Sequence, residues 1–231
     1  MDSAAFVCIC DRVSEGKYSE APMYDALLFD LDGTLIDTES LAIASGMQAF
    51  AEAGFPVDLD FLHRLIGVDQ PSAGKIILAA LPAIDLKTLG TRWNIGFQDR
   101  VDAGLDLKPG VLALLELADH LPHAVVTSSS RREAHRKLDV AGLAGRFVEV
   151  ITLDDVTAAK PDPAPYLLAA TRLGFAPARC LVFEDSETGA EAAHRAGCVV
   201  VQVPDVVPST GKWAHHLATD LITGARAAGV V

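Results

Sequence analysis

From Ala26 onward the chain alternates short, nearly continuous apolar runs with longer stretches whose apolar residues recur every three or four positions. The runs are ALLFD (26–30), HAVVTS (123–128), VEVIT (148–152), CLVFED (180–185) and CVVVQV (198–203). Continuous rather than alternating hydrophobicity predicts strands covered on both faces, as in a parallel sheet. Helix start and stop signals lie between them. Ser130 with Glu133 reads as a capping box for a helix ending near Gly142. Asp162 and Pro163 read as the N-cap and first residue of a helix stopped by Gly174, and Ser186 opens a helix that Gly197 closes. Strand and helix repeated in this way predict an α/β fold with a doubly wound parallel-sheet, Rossmann-like core.

One interval breaks the alternation. Between the first and second runs, about ninety residues pass without a strand pattern, too many for a single crossover helix. Helical spacing instead recurs three times: at Ile43, Met47 and Phe50, through GKIILAAL (74–81), and around TRWNIGFQDRV (91–101). The expected organisation is an inserted α-helical cap domain at 38–107, splitting a core made of 23–37 and 108–231. Residues 1–22 are polar and aperiodic and read as an N-terminal tail outside the fold.

Composition narrows the partners. The chain has 231 residues, 50% of them hydrophobic and 22% charged, which suits a soluble globular protein. Its net charge of −12 argues against nucleic-acid and anionic-membrane partners, which require a surplus of Lys and Arg, but leaves a small phosphorylated ligand open. No apolar run approaches the ~20 residues needed to cross a bilayer. The N-terminus lacks the basic and apolar regions of a secretory signal, so the expected location is cytoplasmic. Cys8, Cys10, Cys180 and Cys198 show no paired spacing, and the last two read as core thiols. His63, His135, His194, His215 and His216 lack the spacing of metal ligands. Trp93, Phe97 and Trp213 read as packing residues.

In a parallel sheet all strand C-termini share one edge, and ligands bind outside it where the winding reverses. Asp30 and Asp32 end the first strand, Thr127 to Ser130 the second, and Glu184 and Asp185 the fourth, while Lys160 lies after the third. Two carboxylates at ~4 Å repel by about 1 kcal/mol in water and ~4 kcal/mol at an effective dielectric of 20. A divalent cation removes that penalty, and oxygen ligands without a His or Cys cluster favour Mg²⁺. Lys160 and the N–H groups of the helix capped by Ser130 would add positive potential for a phosphoryl group.

These residues form a constellation that resembles the haloacid dehalogenase superfamily, in its phosphatase and β-phosphoglucomutase-like branch with a helical cap. FDLDGTLIDTE resembles the family's first motif, VVTSSS its second, Lys160 in AKPDPAPY its third, and FEDSETGAEAAHRAG its fourth. The resemblance spans about residues 24–225. It implies Asp30 as the nucleophile that forms an aspartyl-phosphate and Asp32 as general acid and base. Ser128, the Ser129 N–H and Lys160 would bind the phosphate, with Thr127 as the alternative hydroxyl. Mg²⁺ would be held by Asp30, the Asp32 carbonyl and Asp185, with Glu184 either ligating directly or serving structure. Asp37 and Thr38 read as caps for the following helix.

Within that branch, Asp32 favours phosphoryl transfer over dehalogenation, which needs no proton on its leaving group. A sugar phosphomutase is the alternative, but the resemblance would then call for a His at Ala42, an Arg at Gln70 and a Val at Thr34. A receiver-like phospho-acceptor module is the alternative of another class. Its acid pair would end the first strand with the acceptor on a later one, in a chain near half this length. The expected substrate is a small phosphate ester such as a sugar phosphate or phosphoglycolate, with specificity residues in the cap at Asp69, Gln70 and Lys75. The expected assembly is a monomer or weak homodimer.

Overall fold

A computed structural model describes residues 23–66, 68 and 70–231. The expected tail at 1–22 and Asp69 lie outside the described residues, as do Cys8 and Cys10. In chain order the elements are β1 (Ala26–Phe29), α1 (Glu39–Glu52), α2 (Leu59–His63), α3 (Gln70–Ala80), α4 (Leu86–Ala103) and α5 (Val111–Leu117). There follow β2 (His123–Val126), α6 (Arg131–Val140), β3 (Glu149–Ile151), α7 (Ala164–Leu173), β4 (Cys180–Glu184), α8 (Glu187–Arg195), β5 (Val199–Gln202), β6 (His216–Leu217) and α9 (Leu221–Ala227).

The strands form one parallel sheet in the order β3-β2-β1-β4-β5-β6. Side chains alternate across it, and each face meets helices. Leu27, Phe29, Val125, Leu181, Phe183 and Val201 pack with Leu114 of α5, Leu138 of α6 and Leu221 of α9. Leu28, Val126, Val182 and Val200 face Tyr166 and Ala169 of α7 and Ala190 and Ala193 of α8. Because both faces are covered, the strands carry apolar residues at successive positions, which is why their runs are continuous in the sequence. Phe29 and Phe183 stack across the β1–β4 pair with centroids 5.2 Å apart.

Each run extends beyond its observed strand, and in the first four the polar C-terminal residues leave the ladder for the sheet edge. A sixth strand, β6, has two residues and no pattern that could announce it. The helix expected to start at Pro163 begins at Ala164: Pro163 is the N-cap residue, while the Asp162 carboxylate accepts the Ala164 N–H at 2.9 Å. The helices capped by Ser130 and Ser186 start where expected. Among the described residues, no helix is long and apolar enough to cross a membrane.

Helices α1 to α4 lie between β1 and β2 in the chain and pack around their own cluster of Phe50, Phe61, Leu62, Ile77 and Leu89. Met47, expected to face inward with Ile43 and Phe50, is exposed. The chain enters and leaves this helical cap side by side, with Ile36 bridging Leu107, the Asp37 N–H on Asp106 O at 2.9 Å and the Lys108 N–H on Leu35 O at 3.0 Å. Both passages lie beside the loop that carries Asp32.

Candidate active site

The winding reverses at β1, whose neighbours β2 and β4 lead to opposite ends of the sheet. A crevice therefore opens at its C-terminal end. Asp30 follows β1 directly, its N–H held by Phe183 O of β4 at 3.0 Å. Gly33 turns the chain with a φ of +86°, and a Cβ there would lie 2.5 Å from Asp185 Oδ2. Glycine thus serves both the backbone conformation and the close approach of that carboxylate.

Lys160 arrives from the loop before α7. Its Nζ donates to Asp30 Oδ1 and Glu184 Oε1, each at 2.6 Å, and to Val126 O at 2.9 Å. Glu184 is fully buried, and its carboxylate accepts, besides Lys160, the Tyr166 hydroxyl at 2.7 Å on Oε1, and Ser186 N–H at 3.3 Å and Oγ at 3.1 Å on Oε2. Asp185 accepts the Thr34 hydroxyl at 3.2 Å. Asp30, Glu184 and Asp185 each place a carboxylate oxygen within 4.8 Å of the others.

Three carboxylates therefore face one ammonium. Burial, opposed by Lys160 and reinforced by the neighbouring carboxylates, holds Asp30 well above the usual carboxylate range. Burial and then Glu184 push Asp185 up to about 8. Burial opposes the charge of Lys160, yet Asp30 and Glu184 outweigh it and hold the ammonium above its ordinary value. The site is thus short of positive charge and offers hard oxygen donors, a set that fits Mg²⁺.

Asp32 points elsewhere. Its Oδ1 accepts from Thr38 Oγ1 at 2.9 Å and Lys137 Nζ at 2.7 Å, and its Oδ2 from Ser129 Oγ at 2.9 Å. Thr38, expected only to cap α1, makes no side-chain cap bond; Asp37 does, accepting the Ser40 N–H at 3.1 Å. The Ser129 N–H, expected to face a phosphate, donates to Thr127 Oγ1 at 3.0 Å. Ser128 stands exposed at the cavity wall.

These residues meet at a cavity of about 280 Å³ lined by Asp30, Asp32, Thr127, Ser128, Ser129, Lys160 and Asp185, and also by Glu39. A second cavity of about 720 Å³ lies among the cap helices, lined by Gln70 together with apolar residues such as Leu65, Ile77, Trp93 and Phe97. Lys75 is exposed on α3 and belongs to neither lining. Sequence reasoning missed Glu39, Tyr166 and Lys137. Glu39 was legible as the acid closing the first motif, FDLDGTLIDTE, whereas nothing local marks a tyrosine or lysine inside an amphipathic helix.

Comparison with known proteins identifies the family. The family model described as haloacid dehalogenase-like hydrolase matches residues 27–203. A phosphorylated carbohydrates phosphatase of Thermotoga maritima is 34% identical over 176 residues, covering 75% of this chain and 82% of its own. A fructose-1-phosphate phosphatase of Escherichia coli is 30% identical over 181 residues, covering 78% of this chain and 96% of its own. A haloacid dehalogenase family hydrolase of Deinococcus radiodurans, crystallised with bound phosphate and sodium, superposes with a TM-score of 0.68 at 27% identity, covering 90% of each chain. With a reversing parallel sheet, a helical cap after its first strand and an acidic cluster gathered on one lysine, the chain belongs to the haloacid dehalogenase-like hydrolase family.

Proposed function

We propose that this chain, a phosphoric monoester hydrolase by family, is a cytoplasmic Mg²⁺-dependent phosphatase of small phosphorylated carbohydrates that works through an aspartyl-phosphate on Asp30. The observation that carries the reading is the meeting of Asp30, Asp185 and Lys160, from distant parts of the chain, at one cavity with Asp32 and Ser128 on its wall. The names of the similar phosphatases support the substrate class.

In the first step a carboxylate oxygen of Asp30 attacks phosphorus, and the bond from phosphorus to the ester oxygen breaks as Asp32 gives that oxygen a proton. In the second, a water oxygen attacks the acyl-phosphate, its proton passes to Asp32, and the bond from Asp30 to phosphorus breaks. Lys160 holds Asp30 in place and offsets the charge shared with the phosphoryl group. Ser128 is the hydroxyl for the phosphoryl oxygens, because it stands exposed at the cavity wall whereas Thr127 is buried. Asp30, Asp185 and the Asp32 carbonyl would hold Mg²⁺, which when bound neutralises phosphoryl charge. Glu184, with both oxygens engaged by donors, anchors Lys160 rather than the metal. The core at 23–37 and 108–231 thus performs the chemistry, and the cap at 38–107 selects the alcohol.

Hydrolysis is preferred over mutase chemistry because Ala42 and Gln70, which line the cap cavity, stand where the resemblance would call for the His and Arg of a mutase. The expected partners are small phosphate esters, without nucleic acid or membrane, and the expected assembly is a monomer or weak homodimer. The test is hydrolysis of p-nitrophenyl phosphate with Mg²⁺ and after EDTA treatment. Activity that the chelator abolishes and Mg²⁺ restores supports the reading; equal rates with and without chelator would refute the metal's part in it.

A further inference from the structure

We propose that Lys137 is a positioning residue for Asp32, fixing the direction in which that carboxylate meets the leaving group. The inference rests on the acid–base role proposed above for Asp32.

Lys137 is the seventh residue of α6, about 10 Å along the helix from its capping Ser130. Side chains on a helix slant toward its N-terminus, which here lies at the edge of the sheet. The lysine arm therefore runs back up the helix, and its Nζ reaches Asp32 Oδ1 at 2.7 Å and Ser129 Oγ at 3.0 Å. Its side chain is 11% exposed, that of Asp32 32%. Asp32 is thus held by three donors from three parts of the fold: Thr38 from the entry to the cap, Ser129 from the loop after β2, and Lys137 from α6.

A plain structural ion pair is the competing account. Taking a lysine out of water costs much of what its attraction to a carboxylate returns, so stability alone gives little reason to bury Lys137 against Asp32. The setting favours positioning. Lys137 bonds both the proposed acid and the hydroxyl that shares it, so three polar groups define one orientation. The same turn of α6 also abuts the cap: Arg136 donates to Gln98 Oε1 at 2.5 Å and Gln98 O at 3.2 Å, and the Phe97 ring centroid lies 6.0 Å from Lys137 Nζ. Asp32 is therefore referenced to the helix that contacts α4.

Without Lys137, Asp32 would keep two hydroxyl donors but lose its charged one, and would spend less time aimed at the ester oxygen. The penalty should fall on esters whose leaving group needs a proton. Phenolate is a far poorer leaving group than p-nitrophenolate, so the two esters separate assistance by the acid from everything else.

The experiment compares kcat/KM for p-nitrophenyl phosphate and phenyl phosphate in wild type, Lys137→Met, Lys137→Gln and Lys137→Arg, with the fold of each variant checked by circular dichroism and its melting transition. Lys137→Met and Lys137→Gln should each lose about tenfold more on phenyl phosphate than on p-nitrophenyl phosphate. Lys137→Arg should recover part of that difference. If one uncharged variant fails to fold, the other decides. An equal change on both esters, no change included, overturns the positioning role while leaving the phosphatase reading intact. A wild-type enzyme that hydrolyses neither ester would overturn both.

Discussion

The sheet edge and the cap interior are built on opposite terms. At the edge, nearly every polar side chain that lines the cavity comes from a loop leaving a strand, and the contacts are short, ionic and buried. In the cap, the larger cavity is walled mainly by aliphatic and aromatic side chains, with Gln70, Lys87 and Asn94 among its few polar ones. Buried ionic contacts demand one geometry, whereas an apolar wall accepts many shapes of similar volume. On the proposed reading the edge carries the reaction, and the cap leaves room for selection of the alcohol. Substitutions at the edge should cost turnover with little loss of stability, and substitutions in the cap should do the reverse.

The largest expected effect is that of Asp30→Asn. Turnover should fall at least about a thousandfold, the scale on which loss of a nucleophile is felt. Stability without metal should hold or rise, because a neutral amide suits a buried position where burial already disfavours the carboxylate. Lys160 keeps Glu184 and Val126 O as partners. Steady-state kinetics and a melting curve on one preparation check both halves. Substantial retained activity would reassign the nucleophile, and a large fall in melting temperature would break the contrast with the cap.

Gly46→Ala examines the other side. A Cβ at Gly46 would lie 2.6 Å from Trp93 Cζ2, and the indole is held by its own N–H on Ala42 O at 2.8 Å. Overpacking of this kind costs about 1–3 kcal/mol. Because Trp93 and Ala42 line the cap cavities, KM for a sugar phosphate should rise, while kcat for p-nitrophenyl phosphate stays near wild type. Urea denaturation followed by tryptophan emission, with kinetics on both substrates, measures this. An equal loss of kcat on the small aryl ester would show that cap packing reaches the chemistry.

What the sequence made legible follows the same division. The core strands were readable because two-sided burial writes itself as continuous apolar runs, Asp30, Asp32 and Asp185 because they stand where those runs stop, and Lys160 from its motif AKPDPAPY after the third. The cap helices were readable from spacing, but Met47 shows that spacing does not say which stripe is covered. α2 and β6 are too short to carry a period. Thr38 and Lys137 were illegible in another sense: each has an ordinary local explanation, as a cap or as a helix-surface charge. Only the fold brings Lys137 to Asp32, 105 positions away in the chain.

The smallest effect expected is at Asp155, behind the site, where the sheet-edge contrast is sharpened by pH. Its carboxylate accepts the Thr152 N–H and hydroxyl at 3.0 and 2.6 Å and bonds Arg131 and Arg172 at 2.7 and 2.9 Å. Nearby, Leu153 N–H donates to Ser129 O at 3.0 Å, tying this turn to the loop that reaches Asp32. Burial by itself would raise the Asp155 carboxyl, but the Thr152 bonds and the two arginines outweigh it and hold it well below the ordinary range. A carboxyl lowered by folding stabilises the protein fully above its unfolded pKa of about 3.9, and that contribution is lost as pH falls toward the folded value. Asp155→Asn should therefore cost about 1–2 kcal/mol at pH 7, the worth of charge-assisted bonds that the arginines partly expose. The deficit should shrink when denaturation is repeated near pH 3, where the wild type has begun to lose the same contribution. A gap of equal size at both values would mean that Asp155 acts through shape alone, and the ionic character assigned to the sheet edge would stop short of its supporting turn.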